Sequence, residues 1–348
     1  MKRLFAFAAG AAVLFEGTAA FACGAAFGPS VTIDSRQDII LVWKDNVETY
    51  VFQPIFCGTS TDFGLILPVP ATLSQNPSLT DKQAFTTAAA LSEPTKKIVN
   101  ERNGCALGGG SAAGAQNATD DTTVVASGQV GFLDWVELKA DTESSFTDWL
   151  TANGYPYSAA SADVFSYYVQ KGWSFVAFRI SQAAAPDGGT ICRALGPVAL
   201  SFPTPAPVVP SRMASAGSSS GSRFSWRVFG ITHGDAQLAF SDGSNSNLVL
   251  MYSGAINAGD VPSFSGLAEA GDRLTRLILS FYPTSADPDV GLTVAAPQDY
   301  RGTEDVYVHD DSACSVSRSG RSPHSFVLPL CGLAMVGLVS WRRWRRWR

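Results

Sequence analysis

Between residues 23 and 314 the apolar runs of this chain are short, and Gly, Pro or an Asn/Asp turn cuts nearly every one. Runs of that length suit strands and are too short for the helices of a bundle. The chain carries 32 Gly and 19 Pro in 348 residues, and only 16% of it is charged. This profile belongs to a turn-rich β-protein with enough chain to bury a sizeable core.

The pattern predicts a strand at 39–44, a turn at Asp45-Asn46 and a returning strand at 47–57. A third apolar strand spans 62–69. A helix follows, with Thr80 and Gln83 as a capping box and Phe85, Ala88, Ala89 and Leu91 on its buried side, and Pro94 stops it. Residues 107–121, rich in Gly, Ala and Ser, read as a surface loop, after which strands resume at 122–126 and 130–140. Two helices then present apolar faces at i, i+3, i+4. Phe146, Trp149 and Leu150 line the first, ended by Gly154; Phe165, Tyr168 and Val169 line the second, ended by Gly172. A buried strand at 173–180 follows. Further strands are expected at 198–203, 207–212, 224–232, 236–241, 248–253, 273–282 and 290–295, with 213–222 as a flexible Ser/Gly insert. The expected fold is a β-rich α+β body: antiparallel, sandwich-like sheets with about three short helices. It divides into an N-terminal region at 23–204 and a C-terminal β region at 205–305.

The two ends read as addresses. Lys2 and Arg3 precede a twelve-residue run at 4–15, and Ala20-Phe21-Ala22 forms a small-x-small site before Cys23. A bilayer span needs about 20 residues, so 1–22 is expected to be a signal peptide cut by signal peptidase after Ala22. Cys23 then joins a disulfide or, alternatively, carries a lipid. At the other end a stalk and sorting segment (306–325) leads to a mostly apolar run at 326–341, closed by Arg342, Arg343, Arg345, Arg346 and Arg348. Such a tail reads as a transmembrane anchor with cytoplasmic arginines.

Removing two basic and one acidic residue at 1–22 and seven arginines at 315–348 leaves 16 basic against 29 acidic groups, a body near −13. That charge repels phosphate backbones, so nucleic acid is excluded as a partner.

Of six cysteines, Cys314 lies in the sorting segment and Cys331 in the tail, leaving Cys23, Cys57, Cys105 and Cys192 as disulfide candidates. Four cysteines allow three pairings. The Gly-rich settings of Cys105 and Cys192 favour Cys105–Cys192 with Cys23–Cys57. No two of these cysteines have metal-finger spacing.

Chemistry-bearing motifs are few. The chain has no G-x-S-x-G elbow and no H-E-x-x-H helix, and Gly108-Gly109-Gly110 lacks the Lys of a phosphate loop. No catalytic residue and no cofactor are therefore assigned. Thr232-His233-Gly234-Asp235 sets one histidine beside a carboxylate, an arrangement that a turn also explains. Asp242, Asn245 and Asn247 space oxygen ligands as calcium prefers, yet the distal bidentate Glu is missing and a hairpin turn accounts for them. His309 with Asp310 and Asp311 reads as charged linker.

Several segments in order carry a resemblance: Ala22-Cys23-Gly24, then 62–70 (DFGLILPVP), then Trp149-Leu150 with Asn153-Gly154-Tyr155. Tyr168-Val169, Gly172-Trp173-Ser174-Phe175-Val176, Leu195-Gly196-Pro197, Val208-Val209-Pro210 and Leu274-Thr275-Arg276-Leu277 complete it. The set resembles the bacterial domain-of-unknown-function family numbered 2330. That likeness implies export and a β-rich body, and it supplies no reaction. The order of Cys314, polar spacer, short apolar helix and terminal arginines resembles the myxobacterial C-terminal sorting signal. This second likeness implies cutting near Cys314 by a membrane-embedded sorting protease and delivery to the cell surface.

The reading is therefore an exported protein at the cell surface or outer membrane of a Gram-negative bacterium. Its expected role is structural, adhesive or binding, in contact with other envelope components. A secreted hydrolase with a dispersed site and a calcium or ligand receptor are the alternatives.

Overall fold

A computed structural model describes residues 25–27, 36–53, 55–59, 64–101, 122–155, 157, 161–181, 190–216, 223–234, 236–241, 247–282, 284 and 289–309. The expected signal peptide, the 107–121 loop, the sorting segment beyond residue 309 and the tail lie outside these residues. Among the described residues no helix is long and apolar enough to cross a membrane.

The chain opens with β1 (Ala25–Phe27), β2 (Arg36–Lys44), β3 (Val47–Phe52), β4 (Ile55–Thr59), β5 (Gly64–Val69) and β6 (Ser78–Leu79). Then come α1 (Gln83–Leu91), β7 (Thr95–Glu101), β8 (Thr122–Val130), β9 (Leu133–Ala140), α2 (Glu143–Ala152) and α3 (Ala162–Gln170). The strands β10 (Ser174–Ile180), β11 (Thr190–Ala194), β12 (Val198–Pro203) and β13 (Val208–Val209) precede a 3-10 helix at Ser211–Ala216. The last group is β14 (Phe224–Thr232), β15 (Gln237–Phe240), β16 (Asn247–Ala255), β17 (Arg273–Phe281), β18 (Val290–Ala295), β19 (Tyr300–Arg301) and β20 (Thr303–His309). The fold is β-rich α+β, as the patterning predicts.

Contacts divide the chain into one unit of Met1–Ile98 with Cys105–Val306 and a small second unit of Val99–Gly104 with Tyr307–Arg348. The larger unit is built on two main sheets. One has eight strands in the order β19-β16-β17-β14-β2-β3-β12-β6, and a five-stranded sheet runs β1-β5-β10-β9-β8. The eight-stranded sheet draws on residues from both sides of position 205. Its register pairs are antiparallel apart from β14 with β2, which run parallel.

One core cluster joins the inner faces of these sheets. Ile39, Leu41, Tyr50 and Phe52 come from the large sheet, and Leu65, Leu67, Trp135 and Phe178 from the five-stranded one. Alternation with period two puts these residues inward, and each fully buried side chain contributes about 1.5–3 kcal/mol. The far face of the five-stranded sheet is covered by α2 and α3. There Phe146 stacks on Phe175 at 4.0 Å between centroids and meets Phe165 edge-on at 5.1 Å. The far face of the large sheet carries a third cluster around Ile40, Val51, Phe229 and Leu274, under α1.

Local chemistry explains most boundaries. Asp45 and Asn46 both have positive φ (53° and 59°), the primed hairpin turn that such residues tolerate. Thr142 caps α2 reciprocally with Ser145, and Gly154 and Gly172 take the left-handed conformation after α2 and α3. Two expectations are corrected. The predicted Thr80/Gln83 capping box does not form; α1 starts one residue after Lys82, and Asp81 Oδ1 accepts from the Gln83 N–H at 2.8 Å. Nor does the flexible insert start at Met213. Pro210 ends the strand, and residues 211–216 turn as a 3-10 helix that buries Met213, Ala214 and Ala216.

Candidate functional site

The parallel pairing of β2 with β14 sets Asp38 opposite Arg227 and Arg36 opposite Ser225. On the adjoining antiparallel pair, Arg276 of β17 faces Phe229. Period two then puts Arg36, Asp38, Arg227 and Arg276 on the sheet face that carries the Ile40/Phe229 cluster, beyond its apolar end. Together with Gln53 and Glu304 they line a cavity of about 690 Å³.

Two of the arginines are held differently. Arg227 grips Asp38 as a fork, Nε to Oδ1 at 2.6 Å and Nη2 to Oδ2 at 2.5 Å, and its guanidinium lies 5.7 Å from the Phe229 ring centroid. Its hydrogen bonds to the Asp38 carboxylate hold the Arg227 pKa above the ordinary arginine value. Arg276 is 8% exposed. Its Nη1 donates to the Ser92 carbonyl at 3.3 Å, and among the described residues its Nε has no hydrogen-bond partner. Burial, followed by the charge of Arg227, depresses its pKa. A guanidinium has five donors, and a buried polar group left unpaired costs about 1–3 kcal/mol. The cavity wall therefore carries one under-bonded guanidinium, that of Arg276, inside a strongly acidic body. Chemically, it can receive a carboxylate or phosphate oxygen.

A smaller cavity of about 350 Å³ gathers Lys44, Thr49, His233, Glu269 and Asp272. His233 Nδ1 lies 2.8 Å from Asp272 Oδ1, and Asp272 Oδ2 accepts from the Glu269 N–H at 2.7 Å. The histidine is 49% exposed and its aspartate side chain 7%. Register explains the contact: Thr232 pairs with Arg273, so the residues flanking that pair meet. The sequence sets His233 beside Asp235, but position 235 lies outside the described residues, and the observed partner is Asp272. Among the described lining residues the hydroxyl is that of Thr49, engaged with Ser201 Oγ at 2.9 Å. The dyad can thus orient an imidazole, while Thr49 and Lys44, the latter bonded to Glu269 Oε1 at 2.9 Å, are both engaged elsewhere.

The other sequence-derived positions are scattered. Ala22, Cys23, Cys105, Cys314, Asp242 and Asn245 lie outside the described residues, and Asn247 is the first residue of β16. Cys57 is on β4 and Cys192 on β11, directly opposite each other in an antiparallel register. Among the described residues no three His, Cys, Asp or Glu cluster as a metal site. Motif searching missed Arg227 and Arg276. The available signal was a charge inside an otherwise apolar strand, as in FSWRVFGIT and RLTRLILSF.

Fold and cavity together define a sandwich-like α+β body with a cationic recess on one sheet. A family model described as "Uncharacterized protein conserved in bacteria (DUF2330)" matches residues 17–303. The chain belongs to that family. Among curated proteins nothing matches. A solved structure, that of baculovirus P35, is similar over 79% of this chain and all of its own, at 7% identity and a TM-score of 0.35, which carries no argument.

Proposed function

We propose that this chain is an exported envelope protein whose body binds an anionic group, carboxylate or phosphate, in the arginine-lined cavity. Arg276 carries the reading: a buried guanidinium on the cavity wall with an unpartnered Nε and Arg227 beside it. Residues 1–22 and the arginine-ended tail support export and surface retention, with signal peptidase acting at Ala22 and a sorting protease at Cys314. The membrane-bound tail and other envelope components are then its neighbours, and an anionic surface polymer is the kind of partner that would give an adhesive or structural role.

The test uses purified full-length chain titrated with inorganic phosphate and with citrate. At least one anion should raise the melting temperature, since a ligand at 100 times its Kd stabilises by about 2.7 kcal/mol. Arg276→Met should weaken that binding 10- to 100-fold, the loss of one charge-assisted contact of about 1.5–3 kcal/mol. Without ligand the same variant should be as stable as the parent or up to about 2 kcal/mol more so, because an under-bonded buried charge has gone. Unchanged anion binding in this variant, or no shift with either anion at millimolar concentration, refutes the binding role. Cell fractionation that finds the intact chain in the cytosol refutes export.

The His233–Asp272 contact favours a second reading, a hydrolase that uses an oriented imidazole as general base. Turnover of activated esters by the parent, abolished in His233→Ala, would establish it.

A further inference from the structure

We propose that Cys57 and Cys192 form a disulfide across the β4–β11 ladder, so the native connectivity differs from the pairing that the Gly-rich settings of Cys105 and Cys192 suggest. The two strands make a two-stranded sheet of their own, with Thr190 opposite Thr59, Ile191 opposite Gly58, Cys192 opposite Cys57, Arg193 opposite Phe56 and Ala194 opposite Ile55. Directly opposed residues of an antiparallel pair have α-carbons about 4.5–5.5 Å apart. That interval falls inside the window of roughly 4.4–6.8 Å that a disulfide spans, and cysteines much beyond 7 Å cannot be joined without moving backbone. Register thus selects one of the three pairings open to four cysteines, and it leaves Cys23 and Cys105 as the other two.

The physical case extends past proximity. A two-stranded ribbon is marginal in water by itself, and among the described residues this one has no third strand in its sheet. Residues 57 and 192 are 135 positions apart in the chain. A cross-link over so long a loop removes much unfolded-state entropy. The bond would therefore tie a weak ribbon together where the ladder alone holds it poorly.

Formation is an oxidation. The Cys57 thiolate attacks the disulfide of a thiol–disulfide oxidoreductase or of oxidised glutathione, giving a mixed disulfide and releasing one thiolate. The Cys192 thiolate then displaces the second sulfur. Two thiols lose two protons and two electrons, and the donor disulfide becomes two thiols. The pairing stands on register and not on export, so it can be tested on purified protein wherever the chain resides in the cell.

Full-length chain, kept folded, is equilibrated in a glutathione redox buffer, blocked with iodoacetamide, digested with trypsin without reduction and read by mass spectrometry. The expected product joins peptide 45–82 to peptide 180–193. Links from 4–36 to 45–82 or from 103–139 to 180–193 overturn the proposal, as do alkylated Cys57 and Cys192 after oxidation. As a second measurement, Cys57→Ser, Cys192→Ser and the double variant should each melt about 5–10 °C below the oxidised parent, and by the same amount. Additive losses in the double variant would show that the two residues act separately. A failure here leaves the anion-binding reading untouched, because its titration reports on Arg276.

Discussion

Replacing Asp289 with Ala should cost about 3–5 kcal/mol of folding free energy. Asp289 is buried, and its Oδ1 accepts from the Tyr168 hydroxyl at 2.6 Å and from the Arg212 N–H at 3.1 Å. The Tyr168 oxygen in turn accepts from the Met213 N–H at 3.0 Å, and Lys171 Nζ lies 3.5 Å from the second carboxylate oxygen. One carboxyl group thus ties α3, the 3-10 helix and the start of β18. Truncation strands the buried Tyr168 hydroxyl and the half-buried Arg212 N–H at about 1–3 kcal/mol each, and that loss outweighs the relief from removing a buried charge because Lys171 already compensates part of it. Asp289→Asn keeps an acceptor oxygen for both donors and should lose no more than about 1 kcal/mol. Urea unfolding checks both: the midpoint should fall at unchanged slope for Ala and barely move for Asn. Equal losses in the two variants would mean that the acceptor geometry is not what matters.

The second large effect concerns pH. Glu48 is 0% exposed; its Oε2 accepts from the Val208 N–H at 2.9 Å, and its Oε1 has no partner among the described residues. Burial drives its carboxyl well above the usual range, and burial does the same, less strongly, for Glu137 and Asp289. The sign follows from proton counts. With folded-state pKa values raised above the unfolded ones, the folded chain binds more protons in the interval between them, so stability falls as pH rises through it. These three groups therefore favour the fold at mildly acidic pH and weigh against it in alkali. Glu48→Gln keeps an oxygen acceptor and cannot ionise. It should gain about 1–3 kcal/mol at pH 8, nothing at pH 4, and flatten the decline between. Denaturation midpoints from pH 4 to 9 decide it; a variant less stable at pH 8 would show that the Glu48 carboxylate is well solvated or paired.

Much of the fold was legible because its rules are local. Strands 198–203, 224–232 and 290–295 appear with their expected bounds, since each is a short, mostly apolar run bounded by Gly, Pro or turn residues. The aromatic faces of α2 and α3 and their glycine stops likewise depend on neighbours within one helical turn. The missed strands had weak local signals. β7 reads TKKIVNE, with two lysines and an asparagine, and β11 reads TICRA beside a Gly-Gly pair. Such segments become strands because a partner lies alongside.

The candidate site was almost invisible for the same reason. Asp38 and Arg227 are 189 positions apart, and only the parallel β2–β14 register makes them a fork. His233 meets Asp272 through the β14–β17 pairing rather than its nearest carboxylate in the chain. Nothing near Asp289 in sequence announces that Tyr168 and Arg212 close over it.

By itself the sequence determined what interactions within a few residues can encode: a β-rich chain, its helix ends, its turns and its family. Strand order and the burial of Glu48, Arg276 and Asp289 were decided only when distant strands paired. Those contacts join groups tens to hundreds of residues apart, and their energy depends on a shared low-dielectric interior that exists only in the assembled structure.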